Sequence, residues 1–232
     1  MHKLTYDGID SLRYGIYISG SGTFNAPELD IEEITIPGRS GTLTRDNKRM
    51  KNILITYPCF IKDDFIKNTE KAREWLLNST GYRRLEDTYH PEHFRMARFK
   101  GPIDFNVRAL NLSGEFSLVF DCMPQKFLKS GEIDIQISEA TTIVNPTLKE
   151  AAPLIRVYGT SGSIIVNDIT MNISEIDEYV DLDCDIQDAY KNGENKNSTV
   201  SQQYPTLHPG ANRISFEGNI TQIVIRPRWW TV

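Results

Sequence analysis

The chain has 232 residues, enough for one large domain or two compact ones. Its net charge of -5, from 31 acidic and 26 basic residues, removes the general attraction to phosphate on which nucleic-acid binders depend, so nucleic acid is not an expected direct partner. No stretch approaches the ~20 consecutive apolar residues of a membrane span, and Met1-His2-Lys3-Leu4-Thr5-Tyr6-Asp7 is not the start of a signal peptide, so a soluble protein made in a cytoplasm, with no membrane partner, is expected.

Short strands are predicted over 14–18, 31–36, 53–61, 94–98, 105–110 and 115–121, where β-branched and aromatic residues alternate with polar ones between Gly, Pro, Asn and Ser. One amphipathic helix is predicted over 63–79. Asp63 or Asp64 can cap it, Phe65, Thr69, Ala72 and Leu76 share one face, and Gly81 follows its end. Between the second and third strands, residues 37–52 carry Arg39, Arg45, Lys48, Arg49 and Lys51 against the single acidic Asp46. Gly38 and Gly41 at one end and Asp46-Asn47 at the other predict an extended hairpin or arm, a local positive projection, with a solvated loop as the alternative.

After Met123-Pro124 the chain turns polar and rich in turn formers, and the domain boundary is placed near residue 130, giving domains 1–130 and 131–232. Alternation resumes at 133–137. Further strands are predicted over 154–158, 163–167, 178–183, 212–216 and 220–226, at spacings typical of a β-sandwich, and the hydrophilic segment 190–201 reads as an exposed hairpin tip. The last ten residues read as a strand tied into a sheet. Trp229 and Trp230 would then face opposite sides, one towards the core and one towards solvent or a partner. An exposed indole can stack on a sugar ring, so a carbohydrate-binding or adhesion module is the rival reading.

Candidate chemistry is sparse. Cys59, Cys122 and Cys184 are odd in number and widely spaced, which fits reduced, buried thiols rather than disulfides or a metal site. Asn-x-Ser/Thr triplets at Asn78, Asn111, Asn172, Asn197 and Asn219 lack the secretion signal that glycosylation requires. Asp181-Leu182-Asp183-Cys184-Asp185 mimics the opening of a calcium loop, but Ile186 stands where Gly is needed and Asn192 where Glu is needed. Period-two spacing instead puts Asp181, Asp183 and Asp185 on a solvated face and Val180, Leu182 and Cys184 on the core face. His90-Pro91-Glu92-His93 has two imidazoles and no third ligand nearby. Gly20-Ser21-Gly22 and Gly159-Thr160-Ser161-Gly162 match neither a nucleophile elbow nor a phosphate loop. No catalytic, cofactor-binding or metal-binding residue is singled out, and the protein is expected not to be an enzyme.

The order of several segments carries more information than any one of them. Tyr14-Gly15-Ile16-Tyr17-Ile18 is followed by Ile36-Pro37-Gly38-Arg39-Ser40-Gly41-Thr42-Leu43, then Ile55-Thr56-Tyr57-Pro58-Cys59-Phe60, then a helix with Ala72, Trp75 and Leu76. Gly81-Tyr82-Arg83-Arg84-Leu85-Glu86-Asp87, Pro91 and Arg95-Met96-Ala97-Arg98 follow, and Pro227-Arg228-Trp229-Trp230-Thr231 ends the series. Over nearly its whole length the chain resembles the distal tail proteins of long-tailed phages (siphophages) infecting Gram-positive bacteria.

The resemblance implies a mainly β fold of two β-sandwich domains, the first with one α-helix and a projecting β-hairpin arm, the second galectin-like. It implies a structural protein of the virion, assembled in the bacterial host cytoplasm. Such a protein forms a homohexameric ring at the end of the tail tube, joining the major tail protein to tail-tip or tail-associated lysin proteins and, in some phages, to receptor-binding or baseplate proteins. The sugar-contacting patterns of true galectins have no counterpart here, so sugar binding is not carried over. Arg39, Arg45, Lys48 and Arg49 of the arm are the candidate oligomer contacts, resting on charge and glycine placement.

Overall fold

The computed structural model describes residues 2–20, 24–108, 113–201 and 203–232. They fall into two compact units, Met1–Lys126 with Val232, and Phe127–Thr231. No helix among them is long and apolar enough to cross a membrane. The architecture is mainly β, as the alternation predicts, with a single α-helix among the described residues.

The first unit contains β1 (Leu4–Tyr6), β2 (Ile9–Asp10), β3 (Ile16–Ile18), β4 (Leu29–Thr35), β5 (Thr42–Met50), β6 (Ile53–Ile61), α1 (Phe65–Leu77), β7 (Arg83–Asp87), β8 (His93–Phe99), β9 (Asn106–Arg108) and β10 (Ser113–Leu128) up to Lys126. Its main sheet runs β2-β1-β7-β8-β10-β6-β3, with β9 also on β10, while β4 and β5 pair only with each other. Residues 109–110 of the predicted 105–110 strand, the triplet at Asn111, and Ser21 and Gly22 lie outside the described residues.

Strict alternation makes β6 legible: Ile53, Ile55, Tyr57, Cys59 and Ile61 are buried and the residues between them face outwards. It pairs antiparallel with β10 from Gly114↔Ile61 to Cys122↔Ile53. Contrary to the predicted break at Pro124, β10 continues to Leu128. The β6 ladder has already ended at Cys122, so the N–H that Pro124 lacks leaves no β6 partner unpaired.

Helix α1 buries Phe65, Thr69, Ala72, Trp75 and Leu76. Trp75 donates its indole N–H to the Tyr6 carbonyl at 3.2 Å and stacks on Tyr14. The predicted side-chain cap is absent: Asp64 stands in the left-handed region at φ 50° and makes no capping hydrogen bond, and Asn68 instead donates to the Asp63 carbonyl. Helix and sheet come very close at Gly114, where a Cβ would lie 2.4 Å from the Phe65 ring.

The second unit contains β11 (Ile135–Ile137), β12 (Thr141–Asn145), β13 (Leu154–Val166), β14 (Ile169–Ile173), β15 (Tyr179–Asp183), β16 (Asp188–Lys191), β17 (Glu194–Asn195), β18 (Gly210–Arg226) and β19 (Trp230–Thr231). Its sheet runs β11-β18-β13-β15-β16-β17, with β12 on β18 and β14 on β13. The predicted strands at 154–158 and 163–167 are one bent strand, as are those at 212–216 and 220–226. The bend lies where β13 and β18 shift register between Tyr158 and Gly162. Gly159, at φ 148°, is required there, because a Cβ would sit 2.2 Å from the Asn219 carbonyl oxygen. The predicted tip at 190–201 includes an Asn192-Gly193 turn between β16 and β17, both residues having positive φ, as a two-residue hairpin demands.

The last ten residues are not one strand. Strand β18 stops at Arg226, Pro227 and a left-handed Arg228 (φ 58°) interrupt it, and β19 is two residues long. Trp229 is buried in the core of the unit with Ile155, Leu182, Ile223 and Ile225. Trp230 packs partly buried against the same core and donates its indole N–H to the Glu150 carbonyl at 2.8 Å. Trp229 is thus closed within the core, while Trp230 keeps part of its surface exposed, close to the one-in, one-out placement expected from the sequence.

The solvated face expected for Asp181 and Asp183 is a buried one. Asp181 accepts a two-pronged pair of hydrogen bonds from Arg156 at 2.7 and 2.8 Å, and Asp183 one from Arg228 at 2.7 and 2.9 Å. Only Asp185 is exposed, as expected for all three. A buried carboxylate is tolerated when a guanidinium fork meets both oxygens, and these forks replace solvent on that face. The three cysteines are buried and unpaired, and burial pushes each thiol up to about 12.

Candidate oligomer interface in the hairpin arm

Strands β4 and β5 form a hairpin paired from Thr35↔Thr42 to Ile31↔Asp46 and, beyond a register shift, Leu29↔Met50. The tip turns through Gly38 (φ 79°) and Gly41 (φ 83°), and the Arg39 N–H donates to the Ile36 carbonyl at 3.1 Å. The extra residues of the shift fold into a bulge around Lys48, left-handed at φ 54°, whose N–H donates to the Asp46 carboxylate at 2.7 Å. Every residue from 31 to 49 is exposed. A lone two-stranded ribbon buries too little to be stable by itself in water, so this arm gains by resting on something else.

The charge reading needs correction. Residues 37–52 taken alone are basic, but β4 and the residue before it bring Glu28, Asp30, Glu32 and Glu33 across from them. Arg49 donates from Nε to Asp30 at 2.6 Å, Lys51 pairs with Glu28 at 3.3 Å, and Arg45 lies 4.0 Å from Glu32. The Arg49 hydrogen bond holds the Asp30 carboxyl below its ordinary range. The arm is therefore balanced rather than a positive projection. Of the four candidate contacts, Arg45 and Arg49 are engaged within the hairpin, whereas Arg39 and Lys48 make no ion pair among the described residues.

Charge drew attention away from the apolar side of the arm. Ile34 and Leu43 face each other across the hairpin, each 41% exposed, with Ile36 on the same face, while Ile31, on the opposite face, and Leu29, beyond the register shift, are exposed as well. The signal was present in the sequence as Ile34, Ile36 and Leu43, but apolar residues at strand spacing read the same whether their face meets the chain's own core or a partner. Exposed aliphatic residues grouped on one face of a projection make it a candidate contact surface. Among the described residues no group of His, Cys, Asp and Glu is arranged to hold a metal ion.

No protein-family profile and no curated protein sequence matches the chain. Solved structures do. The crystal structure of the phage SPP1 Dit protein (gp 19.1), described as a paradigm of hub adsorption apparatus in phages infecting Gram-positive bacteria, superposes with a TM-score of 0.78 over 97% of this chain and 98% of that one. The chain has the Dit fold. Identity between the two is only 14%, so what is shared is the fold, not surface detail. Chains from two structures of the phage p2 baseplate in its activated conformation, one with strontium and one with calcium, match with TM-scores of 0.52. They are 9% and 8% identical, each match covers 97% of this chain, and 97% and 96% of those chains are covered.

Proposed function

We propose that this protein is a structural hub of a phage tail, acting at the tail tip or baseplate of the virion and not as an enzyme. The observation that carries the reading is the Dit fold over nearly the full length of both chains, including both units and the arm between β3 and β6. In this reading residues 1–130 build a homohexameric ring and residues 131–232, the galectin-like part, lie outside it. The ring joins the major tail protein on one side to the tail-tip or tail-associated lysin protein on the other, with receptor-binding or baseplate proteins as further partners.

A closed ring needs each subunit to present two different surfaces. The arm supplies one, with Ile34, Ile36 and Leu43 as its apolar contact and Arg39 and Lys48 as charges with no ion-pair partner among the described residues. Arg45 and Arg49 then act by holding the hairpin straight through Glu32 and Asp30. Replacing Ile34 and Leu43 together by aspartate should leave both units folded and break the ring into single subunits. Reversing Arg39 and Lys48 to glutamate should loosen the ring, more so in low salt than in high. Rings that persist in both double variants would remove the arm from the interface.

A further inference from the structure

A closed ring needs a second surface on each subunit, different from the arm, to receive the arm of the next copy. The first unit has an open groove of about 590 Å³ between the β1–β2 turn, the Ser11–Tyr14 turn and the end of α1. That size lies within the roughly 300–1,000 Å³ of sites that enclose a ligand. Ile9, Tyr14, Trp75 and Leu77 form its apolar surface, and Asp7 and Glu74 are its charged residues. Tyr14 and Trp75 stack with centroids 5.1 Å apart, and the hydrogen bond from the Trp75 indole to the Tyr6 carbonyl fixes the pair. Leu77, the last residue of α1, is 65% exposed in this groove. Among the described residues no cation lines it. Arg83 lies 3.6 Å from Asp7, whereas Glu74 has no ion-pair partner among the described residues.

The arm carries the complement. Ile34, Ile36 and Leu43 share one face near its end, and Arg39 in the turn has no ion-pair partner among the described residues. Gly38 and Gly41 keep the tip narrow. Strand β5 alone, nine residues long, extends roughly 30 Å, which gives the tip the reach to meet another molecule. Arm and groove are both open in the same chain, so the arm does not fill its own groove, and a second copy supplies each with a partner.

Resting on the ring reading, we propose that the arm of one copy docks in this groove of the next, with Ile34, Ile36 and Leu43 on Ile9, Tyr14 and Leu77 and the Arg39 guanidinium on the Glu74 carboxylate. The two surfaces match in apolar character and are opposite in charge. The contact is heterologous: each groove takes one arm while its own arm goes to a third copy, and the series ends when the rotation closes.

Light scattering of the full chain over a concentration series tests this. Glu74→Arg and Arg39→Glu should each raise the concentration needed for half assembly about tenfold, more in low salt than in high, and the two together should restore most of it, because the pair is rebuilt in reverse. Glu74→Lys with Leu77→Lys should leave single chains with an unchanged melting temperature, since both positions are exposed and cations suit the last turn of a helix. Ile66→Lys, 59% exposed in the first turn of the same helix, should assemble as wild type. Mixing the Glu74→Lys, Leu77→Lys protein with the Ile34→Asp, Leu43→Asp protein should give one-to-one pairs and nothing larger, since one brings an intact arm and the other an intact groove. Rings that persist in the Glu74→Lys, Leu77→Lys protein, or that are lost equally in Ile66→Lys, would overturn the groove and leave the ring reading standing. A wild-type protein that stays a single chain, alone and with the major tail protein, would overturn both.

Discussion

Asp183→Ala should lower the stability of the second unit by about 3 kcal/mol, a fall in melting temperature of roughly 15 °C for a domain of this size. The carboxylate is 11% exposed and its partner Arg228 28%, so the deletion strands a largely buried guanidinium, and the part of Arg228 still in water holds the cost to the lower end of the range for broken buried pairs. Arg228 also stands at φ 58°, where a non-glycine residue needs its surroundings to hold it, and the fork to Asp183 is part of that hold. Replacing both partners, as Asp183→Leu with Arg228→Met, should recover much of the loss, since no buried charge is left alone. Thermal unfolding of the three proteins checks this, and equal loss in the single and double variants would show that the pair matters for something other than its charge.

The same pair makes a pH prediction. Burial is the largest influence on the Asp183 carboxyl and pushes its pKa up. The Arg228 hydrogen bonds and charge, with the N–H groups of Asp185 and Ile186, pull harder the other way, and the result lies below the ordinary 3.8. A depressed carboxyl contributes stability that is fully present above its unfolded pKa of about 3.9 and is lost as pH falls through the folded value. The stability gap between wild type and Asp183→Ala should therefore be constant near neutrality and close below about pH 4.

In the first unit Phe120→Ala should cost about 3–5 kcal/mol. Phe120 has no exposed surface and sits among Tyr6, Phe99 and Tyr57, with ring centroids at 5.1, 5.7 and 6.0 Å. Three rings converging on one leave a cavity that strands on both sides of β10 cannot close without moving. Phe120→Leu keeps most of the volume and should cost under about 2 kcal/mol. Urea midpoints separate the two, and a Phe120→Ala protein as stable as Phe120→Leu would contradict a rigid aromatic core. Because the proposed ring is built from this unit, Phe120→Ala should also lose the ring, by unfolding its builder rather than by touching an interface.

Strand β6 and the buried face of α1 were legible because each repeats its burial pattern for nine residues or more, 53–61 and 65–77, and no distant partner alters the pattern. What escaped was whatever depends on a residue far away in the chain. Val180-Asp181-Leu182-Asp183-Cys184 alternates like a half-solvated strand, and only the arrival of Arg156, 25 residues before Asp181, and Arg228, 45 residues after Asp183, turns its polar face into a buried one. The arm looked basic for the same reason, since its carboxylates lie on the preceding strand. Short elements such as β1 and β2 left too few residues for a period to show.

The measurement that bears most directly on the hub reading is the mass of the purified protein in solution by light scattering over a concentration series, with negative-stain images of the largest species. The account predicts a particle of six chains, each of 26.5 kDa, seen as a six-fold ring with a central hole. A species that stays at the mass of one chain at every concentration, and also when mixed with the major tail protein, would contradict it.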